Sequence, residues 1–190
     1  MWMQTAGCRK FLINCTDPNE IDFDDIATSL SNLTRFVGHT PFYSVAQHSV
    51  MVSDRLLEQG HGNYVAMYGL LHDAHEAYLG DISRPLKFLL ARQGVWHIIQ
   101  NLVDRLTDFC YYALAPDWPI LNEDEIKYVK DADNAMLVAE ARNLYTEIVD
   151  NWILDVPVNV PWNGVVYPMT PTVARTVFVA RYEKLLREGA

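Results

Sequence analysis

The sequence predicts an all-α globule of about six to eight helices, and three observations carry that expectation. Apolar residues recur at helical spacing along most of the chain, caps and stops flank those stripes, and the alternation expected of strands is weak throughout. With 190 residues, 50% of them hydrophobic and 21% charged, the chain holds enough apolar matter for one buried core and reads as a single domain, its centre at about residues 20–145.

From Asp22, the residues Ile26, Leu30, Leu33 and Val37 form an amphipathic stripe that the loop Gly38-His39-Thr40-Pro41 ends. Ser44 with Gln47 reads as a capping box, opening a second helix through Val45, His48, Val52 and Leu56 that Gly60 stops. Asn63 suits the cap of a third helix, whose face carries Val65, Tyr68, His72, Glu76 and Leu79 before Gly80. Pro85 fits a first helical position, and Val95 to Leu114 is helical in pattern until Ala115-Pro116 breaks it. Asn122 and Glu125 form another capping box, ahead of Ile126, Val129, Asp133, Met136, Leu137 and Glu140. Pro157, Pro161 and Pro168 make 155–168 a loop or docking arm, and a last helix starts at Thr170-Pro171 and runs towards Glu188.

Composition excludes several classes of function. A formal charge of −9 opposes binding to long nucleic acids, which depends on many Lys and Arg contacts to phosphate. Apolar runs such as Val177-Phe178-Val179-Ala180 fall far short of the roughly 20 residues that cross a bilayer, so no membrane association is expected. The N-terminus lacks a secretory pattern. Cys8, Cys15 and Cys110 show no CxxC spacing and read as thiols of a reducing cytoplasm.

Four titratable residues fall on faces that should be apolar, or one position round from them: His48, His72, Asp73 and Asp133. An unpaired buried carboxylate costs several kcal/mol, and a bound divalent cation removes that penalty while keeping the group ionised. Each residue alone has a bland explanation: a lone stripe His is more often a hydrogen-bonded core residue than a ligand, and Asp133 could pair with Arg142. Four on three inner faces would each need an independent partner, which favours one shared cation. His39, His61, His75 and His97 lack that mutual support and read as loop or surface residues, His75 being a weaker candidate one turn from His72.

The strings Ser44-Val45-Ala46-Gln47-His48-Ser49, Leu71-His72-Asp73-Ala74-His75-Glu76-Ala77-Tyr78-Leu79-Gly80-Asp81 and Lys130-Asp131-Ala132-Asp133 resemble the three signatures of the HD-domain metal-dependent phosphohydrolases. The resemblance is to the branch containing bacterial 5′-deoxynucleotidases and phage deoxynucleoside triphosphohydrolases. It implies an HD-domain fold around a metal site, with His48, His72, Asp73 and Asp133 as ligands. Asp133 is preferred to Asp131, and helical phase agrees, because Asp133 shares the Ile126–Val129–Met136 face.

The implied cofactor is a divalent ion, Zn, Co, Mn, Ni or Fe, with Mg at a second site. The implied catalytic residues are Glu76, one turn beyond His72, and Asp81. Arg35, Lys87 and Lys130 are the implied phosphate contacts, and Phe36 the implied aromatic against the nucleoside. The expected substrate is a small deoxynucleotide. The leading reaction is hydrolysis of a deoxynucleoside triphosphate, dATP first, to deoxynucleoside and triphosphate; the alternatives are a 5′-deoxynucleotidase acting on deoxynucleoside monophosphates and a non-catalytic nucleotide-binding sensor. The resemblance also implies a homo-oligomer, dimer or hexamer, in the cytoplasm, including that of a phage-infected host.

Overall fold

A computed structural model describes residues 2–14 and 17–189; Cys15 lies outside them, while Cys8 is exposed and Cys110 is buried in the core. The chain opens with a short antiparallel hairpin, β1 (Trp2–Gln4) and β2 (Lys10–Leu12), in which Trp2 faces Leu12. Everything else regular is helical: α1 (Phe23–Asn32), α2 (Val45–Glu58), α3 (Asn63–Leu71), α4 (Glu76–Leu79), α5 (Arg84–Arg92), α6 (Trp96–Leu114), α7 (Glu123–Leu144) and α8 (Pro171–Gly189), with short 3-10 turns between. The all-α expectation therefore holds. Among the described residues no helix is long and apolar enough to cross a membrane.

Helix α2 is the hub, packed against α1, α3, α7 and α8. Its buried Val52 and Leu56 meet Leu70 and Leu71 of α3, Met136 of α7 and Phe178 of α8 in one continuous core. Each such side chain contributes about 1.5–3 kcal/mol on leaving water, which is why helices of modest intrinsic propensity hold here. Gly69 permits the α2–α3 contact: a Cβ there would lie 2.4 Å from Leu56 Cδ1.

Local signals act largely as read. Asp22 caps α1 by accepting from the Asp25 N–H, and Asn122 with Glu125 forms the reciprocal capping box of α7. Gly60 and Gly80 take the left-handed φ that ends their helices.

Five expectations are corrected. Val37 lies outside α1, which stops at Asn32; Phe36 and Val37 adopt left-handed φ of 55° and 54°, and Val37 is exposed. Ser44 caps α2, but Gln47 does not reciprocate. Its buried amide donates to the Tyr167 carbonyl at 2.7 Å and accepts from the Met169 N–H at 2.8 Å, satisfying backbone at the end of the 155–168 arm and just beyond it. Gly62, not Asn63, is the N-cap of α3, and the Asn63 amide instead donates to the Glu188 carbonyl at 3.0 Å, tying α3 to α8. Pro85 takes the second position of α5, after Arg84.

The fifth correction matters most for the site. The third helix is not continuous from Asn63 to Leu79 but breaks over His72–His75. Ala74, Glu76 and Ala77 N–H groups bond to carbonyls three residues back, those of Leu71, Asp73 and Ala74. Such tightening rotates successive side chains away from α-helical phase.

Candidate metal centre

In an unbroken α-helix His72 and Asp73 would point about 100° apart. At the start of the tight turn after Leu71 both nevertheless line one cavity wall, with His72 Nε2 3.2 Å from Asp73 Oδ2. Opposite them, α2 contributes His48 and α7 contributes Asp133. His48 Nε2 lies 3.3 Å from Asp133 Oδ1 and 3.8 Å from Asp73 Oδ2, and His72 Nε2 lies 4.0 Å from Asp133 Oδ1. The four residues singled out from the sequence thus converge from three helical segments.

The imidazole nitrogens divide their tasks. His48 Nδ1 bonds Glu140 at 2.5 Å and His72 Nδ1 bonds the Gly69 carbonyl at 2.8 Å, whereas neither Nε2 finds a hydrogen bond of good geometry although both are buried. Two rings held at Nδ1 with Nε2 left over, facing two carboxylates at 3.2–4.0 Å, are a donor set that fits one divalent cation, since ligands 2.0–2.2 Å from an ion sit about this far apart. Imidazole with carboxylate suits Zn, Mn, Fe, Co or Ni.

Without a cation the cluster balances its charge with protons. Burial and Arg35 oppose protonation of His48, yet Glu140 and Asp133 prevail and lift its pKa to about 9. Burial pushes Asp73 up, but His72 and His48 pull it below the usual carboxylate range; Asp133, raised by burial, is likewise pulled down by His48 and Lys130. An ion held by His48 Nε2 would have to displace the imidazole proton, so its affinity would rise with pH up to about 9.

Glu76 begins α4 beside this set. It is buried with Oε2 unpartnered, and burial together with Asp73 and Asp81 holds its carboxyl well above the ordinary range. Asp81, half-buried in the same cavity, is raised chiefly by burial. His75 corrects the surface reading: it is buried, and its Nδ1 lies 3.2 Å from Thr107 Oγ1. One donor atom each from His48, His72 and Asp133 lie within 4.8 Å of one another, and so do one each from Asp73, His75 and Glu76, so that Asp73 stands between the two groups, 3.2 Å from His72 and 3.8 Å from His48.

The residues expected to hold substrate line the same cavity of about 1280 Å³, with different degrees of freedom. Arg35 is buried and already committed, its Nε 3.1 Å from Glu140 Oε2 and its Nη1 3.7 Å from Asp73. Lys130 is exposed and pairs with Asp133 Oδ2 at 2.6 Å, which replaces the alternative pairing of Asp133 with Arg142. Lys87 lies 6.0 Å from the Trp96 ring centroid. Phe36 packs edge-on against Tyr145, ring centroids 5.5 Å apart.

Sequence reasoning missed Glu140 as a functional residue. It is fully buried, bonds His48 Nδ1, and also accepts from Tyr43 Oη at 3.0 Å and from Arg35. A signal was present, because Glu140 follows Asp133 by seven residues, two helical turns, on the same inner stripe of α7. Its partners Arg35 and Tyr43 lie on a loop that periodicity does not place. Arg84, at the start of α5, donates to Asn134 Oδ1 at 2.9 Å and ties α5 to α7.

Fold and site together describe an all-α protein with a buried imidazole–carboxylate cluster at the floor of a large cavity. No family model matches the chain. The uncharacterized protein YfdR of Escherichia coli (strain K12) is 33% identical to it over 187 residues, covering 97% of this chain and 95% of YfdR. The uncharacterized protein RCAP_rcc00048 of Rhodobacter capsulatus is 30% identical over 194 residues, covering 98% of this chain and 96% of its own. The chain belongs to the family of YfdR.

Proposed function

We propose that this chain is an HD-domain phosphohydrolase that uses a divalent metal ion to hydrolyse deoxynucleoside triphosphates, dATP first, to deoxynucleoside and triphosphate. The observation that carries the reading is the pair of unpartnered imidazole Nε2 atoms facing Asp73 and Asp133, with the unpartnered Glu76 carboxyl beside them on one cavity. His48, His72, Asp73 and Asp133 would hold the ion. When bound, such a cation acidifies water and neutralises phosphate charge.

The protein's own residues supply the rest. Glu76 is placed to receive the proton of the attacking water, in the ionised form that a nearby cation restores. The water oxygen joins the α-phosphorus, the bond from that phosphorus to O5′ breaks, and O5′ needs a proton. Asp81, kept above its ordinary range by burial, is the carboxyl available to give it. Lys87, Lys130 and the free edge of Arg35 face the phosphate chain, while Phe36 and Tyr145 offer the nucleoside an aromatic wall. The cavity, at about 1280 Å³, exceeds the 300–1,000 Å³ typical of small-ligand pockets, so its volume is sufficient for a nucleoside triphosphate.

Incubating the protein with dATP and dAMP across a manganese, cobalt, nickel and zinc series, then separating products by ion exchange, tests the reading. Deoxyadenosine and triphosphate from dATP are expected. Turnover of dAMP alone would make it a 5′-deoxynucleotidase, and tight nucleotide binding with no turnover under any metal would make it a sensor.

A further inference from the structure

The buried Glu140 carboxylate gathers donors from two other parts of the chain. Oε1 takes His48 Nδ1 at 2.5 Å and Tyr43 Oη at 3.0 Å; Oε2 takes Arg35 Nε at 3.1 Å. Backbone pairing sets two of them side by side, since the Arg35 N–H donates to the Tyr43 carbonyl at 2.9 Å next to the bridge between Thr34 and Ser44. Helix α7 does the rest. Asp133 and Glu140, two turns apart, address the two nitrogens of one imidazole, Asp133 at Nε2 and Glu140 at Nδ1.

We infer that Glu140 is a positioning residue that couples the cation-facing imidazole of His48 to the phosphate-facing guanidinium of Arg35, so that a cation and an anion bind this site with positive cooperativity. This rests on the metal-site reading above and adds a link between its two ligands. A single carboxylate, with no solvent to relieve it, divides its charge between the two donors. A cation at Nε2 makes the Nδ1 proton a stronger donor, draws Glu140 towards His48 and leaves Arg35 less neutralised. An anion on the outer edge of Arg35 draws the guanidinium off Glu140, whose freed charge makes His48 a stronger ligand. The two effects are one coupling seen from its two ends.

Co2+ titration of the full chain, with and without inorganic sulfate, tests this in the native protein and in two variants. Sulfate is expected to tighten Co2+ binding to the native protein several-fold. Arg35→Lys keeps the charge but loses the Nε bond, releasing Glu140 to His48; Co2+ binding is expected to tighten a few-fold and the sulfate effect to shrink. Glu140→Gln is expected to weaken Co2+ binding about 10–100-fold and to abolish the sulfate effect.

A purely structural role would move both variants in one direction, in step with the thermal unfolding of the metal-free protein, and would overturn the inference. Survival of the sulfate effect in Glu140→Gln would also overturn it, since the anion would then act on the metal directly or through Asp73, which Arg35 Nη1 reaches at 3.7 Å. If Glu140→Gln does not fold, the Arg35→Lys arm decides: absence of tightening refutes the coupling. A native protein that binds no Co2+ removes the metal reading and this inference together, whereas a native protein that binds Co2+ with variants that fail to diverge removes the inference alone.

Discussion

Where α2 meets α7, charged side chains lie fully buried and paired, as His48 and Glu140 do, whereas α5, on the rim of the same cavity, buries none of its residues. Phe88 of α5 is 65% exposed although it lines the cavity, and Leu86 and Leu89 point to solvent. The difference separates two tasks. A group that must keep fixed distances to three others is set in packed helices, where moving it would break several interactions at once. On the proposed function, Lys87, which would meet a flexible polyanion, is carried on a short helix tied to α7 by Arg84 through Asn134.

Substitutions at the two regions should therefore have unlike consequences. The largest is expected at the floor: Asp73→Ala should lose the metal and all turnover, read by elemental analysis and by dATP hydrolysis; a variant that keeps both breaks the contrast. Glu76→Ala should retain the metal and lose rate by about 100- to 10,000-fold, the usual loss on removing a general base, measured as kcat at saturating metal. Leu70→Ala, in the core of α3 two residues before His72, should lower stability by about 2–5 kcal/mol in urea unfolding of the metal-free protein.

On the rim, effects should be small and of another kind. Lys87→Ala should raise KM for dATP several-fold with kcat nearly unchanged, and the loss should fade as salt rises, because the contact is screened. Leu86→Ala should change stability by no more than about 0.5 kcal/mol, the range of exposed positions. A large loss of stability there would mean that the rim is as tightly built as the floor.

The same contrast explains what the sequence could disclose. His48, His72 and Asp133 were legible because helical phase placed each on a stripe that should have been apolar, and a misfit on a buried face is visible in one dimension. Glu140 sits on such a stripe too, but its meaning depends on Arg35 and Tyr43, which reach it from a loop 105 and 97 residues away. The break after Leu71 was invisible for a different reason: apolar spacing through Leu79 is compatible with one helix, and only the three-residue hydrogen bonds of the turn show that phase is lost. His75 was assigned to the surface because its partner Thr107 lies 32 residues away on α6, a contact no local pattern encodes. Likewise Gln47 had the residue type of a capping box, and the long-range partners Tyr167 and Met169 claimed it.

That last contact bears on how the protein comes into being. The amide of Gln47, one residue before His48, is satisfied by backbone 120 and 122 residues further along. During synthesis the first turn of α2 has only water to satisfy that amide until the backbone at Tyr167 and Met169 has emerged, and closure of so long a loop is slow. A nascent chain stalled before Tyr167 would carry His48, His72, Asp73 and Asp133 and still lack the clasp beside the first of them, so the four side chains are expected to reach their final places only after the segment around Tyr167 and Met169 has docked.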